Sequence, residues 1–232
     1  VTALFQPNGA LTLTASNDAA PGTANFTITG TADGITHSTA ATVAVTQVLT
    51  GTMPVDLTGD FNVTGIYTDG SKFSEAGGMD GGGYALSQKA LGSDPVGDGV
   101  IFHLGPANAP DAVTGKTVAL PHGNFSSIKL LALAVEGRQT MQPFLVTYDD
   151  GTTASFTQSL SDWAEPGRQV RGQSVAVEMP YRLAADGSVD GNPFYAYAYS
   201  FPLDSGKVVR SISLPASRNV AVLAMTLVPA KE

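Results

Sequence analysis

The amino-acid sequence predicts an all-β protein, a jelly-roll β-sandwich preceded by a small β segment. Three observations carry this reading. Short apolar runs with period-two alternation recur along the chain, and no long stretch of 3.6-residue periodicity competes with them. Turn formers separate the runs, with 26 Gly and 14 Pro among 232 residues. From Val55 onward roughly ten such runs follow one another at Greek-key spacing.

Residues 1–50 read as a module of their own. Leu11-Thr-Leu-Thr is a strand, Asn17 to Gly22 a turn region, and Asn25 to Gly30 a second strand. Ala32-Asp33-Gly34 turns the chain into a third, His37 to Thr46. The Ala-Pro-Gly-Thr start and the Thr-Val-Ala-Val-Thr ending resemble the last strands of immunoglobulin-like modules that link domains of bacterial secreted hydrolases. A complete immunoglobulin-like sandwich needs about seven strands, and three or four are visible. The expectation for 1–50 is therefore a partial immunoglobulin-like β module or linker, with its boundary between Gln47 and Pro54.

Residues 51–232 are predicted to form the sandwich. Asp60 to Thr68 opens it as a strand. A glycine-rich run from Asp69 to Tyr84 follows, which is either flexible or wrapped on something. Tyr84-Ala-Leu-Ser and Gly99 to Gly105 are short strands, and Pro106 to Asp111 is a loop. Thr117-Val-Ala-Leu-Pro leads to Ser127 to Val135, a near-continuous apolar run expected of a central strand buried on both faces. Phe144, Val146 and Tyr148 alternate with polar neighbours and lead to Asp150-Gly151, read as a primed hairpin turn. Thr152 to Thr157 returns with Ala154 and Phe156 on one face. Ser161-Asp162-Trp163 ends that unit, and Ala164 to Gly172 is an irregular loop. Ser174 to Met179, Phe194 to Phe201, Lys207 to Leu214 and Val220 to Val228 are the remaining strands. The pleat sorts Phe194, Ala196, Ala198 and Ser200 to one face and Tyr195, Tyr197, Tyr199 and Phe201 to the other. The segments Thr117 to Ala134 and Ser211 to Thr226 echo each other as strand, proline turn and buried strand.

Composition narrows the function. The formal net charge is −8 and only 14% of residues are charged, with Arg168 and Arg171 the densest basic pair. Nucleic acid and anionic membrane surfaces are therefore poor partners. With no cysteine, disulfides, thiolate catalysis and cysteine-ligated metals are excluded. No run of about 18 apolar residues predicts a membrane-spanning helix. Val1 is not a start methionine, so the chain reads as a mature product or a piece of something longer. Its Thr/Gly/Ser-rich, cysteine-free texture suits a bacterial exported protein, whether secreted, periplasmic or at the cell surface.

The series Gly99-Val-Ile-Phe-His-Leu-Gly-Pro, Val118-Ala-Leu-Pro, Leu130-Leu-Ala-Leu-Ala-Val, Val146-Thr-Tyr-Asp-Asp-Gly-Thr-Thr, Ser161-Asp-Trp and Val220-Ala-Val-Leu-Ala-Met-Thr-Leu resembles galactose-binding-domain-like modules. Such modules accompany catalytic domains of secreted glycoside hydrolases and other exported hydrolases. They include sugar binders, calcium-stabilised scaffolds and spacers. The resemblance implies an accessory module that touches other domains of a parent hydrolase and binds a polysaccharide or other glycan.

Several residues fit that chemistry and also a plainer role. Trp163 is either a sugar-stacking platform or a core ring beside Asp162. Tyr195, Tyr197 and Tyr199 either line a concave sheet surface or fill the interior. Arg182 and Asn192 flank the tyrosine strand and are the polar residues expected to bind a glycan. Asp69, Glu75 and Asp80 offer carboxylates among turns that expose carbonyls, the oxygen-rich setting for a structural calcium ion. The alternative is a solvated loop. Enzyme motifs are weak. His37, His103 and His122 are scattered, and no nucleophile elbow or phosphate loop occurs. Asp149, Asp150, Asp162, Glu165 and Glu178 leave room for a glycosidase pair, although Asp149-Asp150 sits where turns favour aspartate. The expected function is thus a non-catalytic, carbohydrate-binding-type accessory module. A ligand-free spacer or adhesive sandwich is the alternative, and a glycosidase the remote one.

Overall fold

The computed structural model of the chain describes residues 2–5, 11–14, 22–45, 51–165 and 170–230. Two compact units divide it, Val1–Val48 and Leu49–Glu232. In the first, β1 (Thr2–Phe5) pairs with β2 (Leu11–Thr14), and β3 (Gly22–Ala32) pairs with β4 (Ile35–Val45). The β3–β4 register is unbroken from Gly22 opposite Val45 to Ala32 opposite Ile35. Asp33 and Gly34 both have positive φ, the primed turn that matches strand twist. Side chains reinforce the ladder: Thr42 donates to Asn25, and the Thr29–Ser38 and Thr31–Thr36 hydroxyls pair. Most of the expected Asn17–Gly22 turn and the Gln47–Thr50 part of the boundary lie outside the described residues.

In the second unit, the strands appear in chain order as β5 (Met53–Pro54), β6 (Ile66–Tyr67), β7 (Tyr84–Ser87), β8 (Val96–Gly97), β9 (Val100–Ile101), β10 (Thr117–Ala119), β11 (Phe125–Ala134), β12 (Gln139–Tyr148) and β13 (Thr153–Leu160). They continue as β14 (Gln173–Met179), β15 (Arg182–Ala184), β16 (Val189–Asp190), β17 (Phe194–Pro202), β18 (Val209–Ser213) and β19 (Val220–Pro229). One helical turn, α1 (Gln88–Leu91), is capped by Ser87, whose hydroxyl accepts from the Ala90 N–H at 3.0 Å.

Two antiparallel sheets carry the fold, ordered β14-β17-β11-β19-β5 and β10-β18-β12-β13. Leave out β14 and number the other eight strands in chain order. The first then pairs with the eighth, the second with the seventh, the third with the sixth and the fourth with the fifth. A long hairpin ribbon rolled across two sheets gives this pairing, which is the expected jelly roll. The internal echo falls on neighbouring strands, since β10 pairs with β18 and β11 with β19.

One face of the five-stranded sheet packs on the four-stranded sheet. Ile128, Leu130 and Tyr197 meet Phe144, Val146 and Ile212 there. Its other face is covered by a third layer, contributed mainly by residues 63–112 with Trp163 and β15, where Leu131, Leu133 and Ala196 meet Leu86, Phe102 and Trp163. This is why β11 is apolar almost without alternation, as the sequence predicts.

Two expectations are corrected. Asp60 to Thr68 is a strand only at Ile66–Tyr67. Gly65 and Ile66 give their N–H groups to the Asp111 carboxylate instead of to a neighbouring strand. The Asp150-Gly151 turn is not primed, because only Gly151 has positive φ. Gly151 N–H donates to the Tyr148 carbonyl (3.0 Å) and Tyr148 N–H to Thr152 (2.9 Å), which makes a three-residue loop closed by a left-handed glycine.

The glycine-rich run is wrapped. Met79 N–H donates to the Tyr84 carbonyl (2.7 Å), and Arg218 Nη1 donates to the Met79 carbonyl (2.8 Å). Gly78 has φ +78, and a Cβ there would stand 2.3 Å from the Tyr84 carbonyl oxygen. Gly78→Ala is expected to lower stability by about 2–4 kcal/mol. The expected readouts are a lower urea midpoint and new protease cleavage between residues 69 and 84.

Candidate functional site

The aromatic residues singled out for a ligand are interior. Tyr195, Tyr197 and Tyr199 are 7%, 1% and 1% exposed and fill the space between the two sheets. The Tyr197 hydroxyl donates to the Glu165 carbonyl (3.2 Å), and the Tyr199 hydroxyl donates to Gln173 Oε1 (3.0 Å) while accepting from the Ser161 N–H. Burial pushes the Tyr197 phenol up to about 12 and Tyr199 higher still. The sugar-stacking face expected of these rings is therefore corrected: the pleat sorts the residues as predicted, but both faces of β17 are covered. Trp163 is 3% exposed and tilts against Phe194 at 5.4 Å. Asp162 beside it accepts from the Gly137 and Ala164 N–H groups (2.7 and 2.8 Å). Of the two roles open to Trp163, the structure shows the core ring.

The polar candidates do come together. Arg182 and Asp190 face each other across β15 and β16, and Arg182 Nε donates to Asp190 Oδ2 (2.9 Å). Asn192 Nδ2 donates to the other Asp190 oxygen (2.6 Å). The guanidinium lies over the rings of Tyr84 (3.6 Å), Phe194 (4.6 Å) and Trp163 (5.1 Å). Asn192 is exposed, whereas Tyr84, Arg182 and Asp190 are half-buried. The cluster offers amide, carboxylate and guanidinium groups at a solvent boundary, and its ring face is already occupied by the arginine.

The three loop carboxylates do not converge. Asp69 accepts from the Ser87 and Tyr181 hydroxyls, the latter at 2.6 Å. Asp80 accepts from the Gly82 and Tyr84 N–H groups (2.7 and 3.1 Å), and Glu75 is exposed. Among the described residues no group of three His, Asp or Glu side chains is arranged to hold a metal. The expected calcium arrangement of Asp69, Glu75 and Asp80 is corrected accordingly: Asp80 is bound by backbone groups of the loop, and Asp69 by the Ser87 and Tyr181 hydroxyls outside it. His103 pairs with Asp94 and His122 with Asp149, each at 2.9 Å on the surface.

Residues 51–231 match the family described as the AziU2-like beta-sandwich domain. The chain belongs to that family. No curated protein matches the sequence.

Within the AziU2-like domain, sequence reasoning passed over three polar side chains. Asp111 is fully buried, and its carboxylate accepts from the Gly65 and Ile66 N–H groups (3.0 and 2.9 Å). Burial pushes it up to about 7, against the pull of those two donors. Lys129 sits inside the apolar run of β11, and its Nζ donates to the Asp98 carbonyl (2.8 Å) and carboxylate. A lone lysine in such a run is a legible sign of a buried partner. Asp111 carries no such sign, because it follows Pro110 in what reads as an ordinary loop. Among the described residues, the buried Nε and Nη2 of Arg138 have no hydrogen-bond partner. Its charge acts on the Tyr197 hydroxyl alongside those of Asp162 and Glu165, a setting that disfavours an added anion.

Proposed function

We propose that the chain is a non-catalytic β-sandwich module that serves as a rigid scaffold in a larger exported protein. The observation that carries this reading is that the four candidate rings and four of the aspartates are committed to the fold. Trp163 and the three tyrosines are core, and Asp69, Asp80, Asp111 and Asp162 each accept hydrogen bonds that hold loops in place. A general acid or nucleophile needs a free, reachable carboxyl group.

A second reading, a glycan-binding accessory module of an exported hydrolase, is favoured by the Arg182–Asp190–Asn192 cluster. Hydroxyl-rich ligands are recognised by amide, carboxylate and guanidinium groups, and Asn192 is the member in reach of solvent. The two readings separate in one experiment: retention of the full chain on a panel of soluble and insoluble polysaccharides, repeated with Asn192→Ala. The scaffold reading expects no retention on any glycan. Retention that falls at least tenfold in Asn192→Ala, with the melting temperature unchanged, would replace it with the glycan reading.

A further inference from the structure

Among the described residues, the sandwich guards three of its four outer strands and leaves one open. A free strand edge presents unpaired N–H and C=O groups to any other strand, and proteins blunt such edges by shortness, proline, charge or bulges. Strand β5 is two residues long and ends in Pro54. Strand β10 is three residues long. Strand β14 carries exposed Glu178 and an irregularity between Val175 and Val177. Strand β13 has none of these. Its eight residues, Thr-Ala-Ser-Phe-Thr-Gln-Ser-Leu, include no charge and no proline. Its register with β12 is unbroken from Gln158 to Thr153. At its far end Gln158 Nε2 donates to the Arg171 carbonyl (2.9 Å), and among the described residues Thr153–Thr157 is the open stretch.

We propose that β13 pairs antiparallel with β13 of a second copy of this chain, joining two four-stranded sheets into one of eight strands. The sequence of the open stretch fits itself. With Ser155 on the dyad, Thr153 lies opposite the partner's Thr157 on the outer face. Ala154 lies opposite the partner's Phe156 on the inner face, a small residue against a ring. Ala154 and Phe156 are only partly buried in one copy, at the rim of the core, so pairing covers apolar surface as well as satisfying the backbone. Charge favours this site too. Two copies of net charge −8 repel, and the outward residues of β12 and β13 (Met141, Pro143, Leu145, Thr147, Thr153, Ser155 and Thr157) are all uncharged. The inference goes beyond the scaffold reading and stands independently of it.

An interface this short belongs among weak assemblies, with a dissociation constant on the order of 10–100 µM. Sedimentation velocity of the full chain across that range is expected to show a reversible dimer. Ser155→Lys sets two like charges opposite each other across the dyad and should raise the dissociation constant at least tenfold, with an unchanged circular dichroism spectrum. The chain has no cysteine, so Ser155→Cys gives an independent readout: a disulfide dimer forming at least tenfold faster than with Thr117→Cys on the guarded β10 edge. A wild type that stays monomeric throughout would overturn the proposal. So would a dimer that Ser155→Lys leaves intact, or equal crosslinking at the two positions.

Discussion

Tyr197→Ala is expected to destabilise the sandwich by about 3–5 kcal/mol, the cost of emptying a ring-sized space in a packed core. Tyr197 is 1% exposed and sits between Tyr195 and Tyr199, with centroids at 6.3 and 6.5 Å. Its neighbours are on strands paired on both sides, so the space can collapse only in part. The substitution also removes the donor to the Glu165 carbonyl. For a domain of this size the loss corresponds to a fall of roughly 10 °C in melting temperature, read by thermal denaturation followed by circular dichroism. Asn192→Ala, at an exposed position, should change stability by less than about 0.5 kcal/mol. A Tyr197→Ala protein that melts like the wild type would show that the ring is not part of the core. The contrast matters for any binding assay, because lost binding in Tyr197→Ala would report unfolding, whereas lost binding in Asn192→Ala would report a site.

The second large effect is a pH dependence that runs opposite to the usual carboxylate case. Asp111 is pushed up to about 7 by burial, whereas in the unfolded chain it titrates near the ordinary value of about 4. Between these two values the folded state holds a proton that the unfolded state has released. Stability from this group therefore falls as pH rises from about 4 to about 7, and is flat outside that window. The full change is on the order of 4 kcal/mol. Asp111→Asn removes the titration and keeps one acceptor oxygen for the Gly65 and Ile66 N–H groups. Urea unfolding at several pH values across the window should show stability declining with pH more steeply in the wild type than in Asp111→Asn. The variant should be at least as stable as the wild type above pH 7. Parallel pH profiles for the two proteins would rule out the burial argument. Asp150, held at about 2 by Thr152 and Lys207, titrates below this window and does not confuse it.

Short apolar and alternating runs were enough to place the long strands β11, β12, β13, β14, β17 and β19, and the pleat sorted Tyr195, Tyr197 and Tyr199 from Phe194, Ala196 and Ala198. The near-continuous apolar run of β11 announced that both of its faces are covered. Asp33-Gly34 announced a turn, and only the structure showed that it is primed, with two successive left-handed residues. What the sequence did not contain is which exposed-looking face is a surface. Whether the tyrosines meet solvent depends on the opposing sheet, whose residues lie up to tens of positions away. The same holds for Trp163, buried by a third layer contributed mainly by residues 63–112. The Arg182–Asp190–Asn192 cluster was half legible: the flanking residues were visible, and the carboxylate joining them appears only when β15 and β16 pair. Asp111 and the open edge of β13 were not legible at all. Burial of one carboxylate and freedom of one backbone edge are properties of how strands are ordered in sheets. Side-chain pattern along a strand records which way residues point, and carries no record of what stands beside or opposite them.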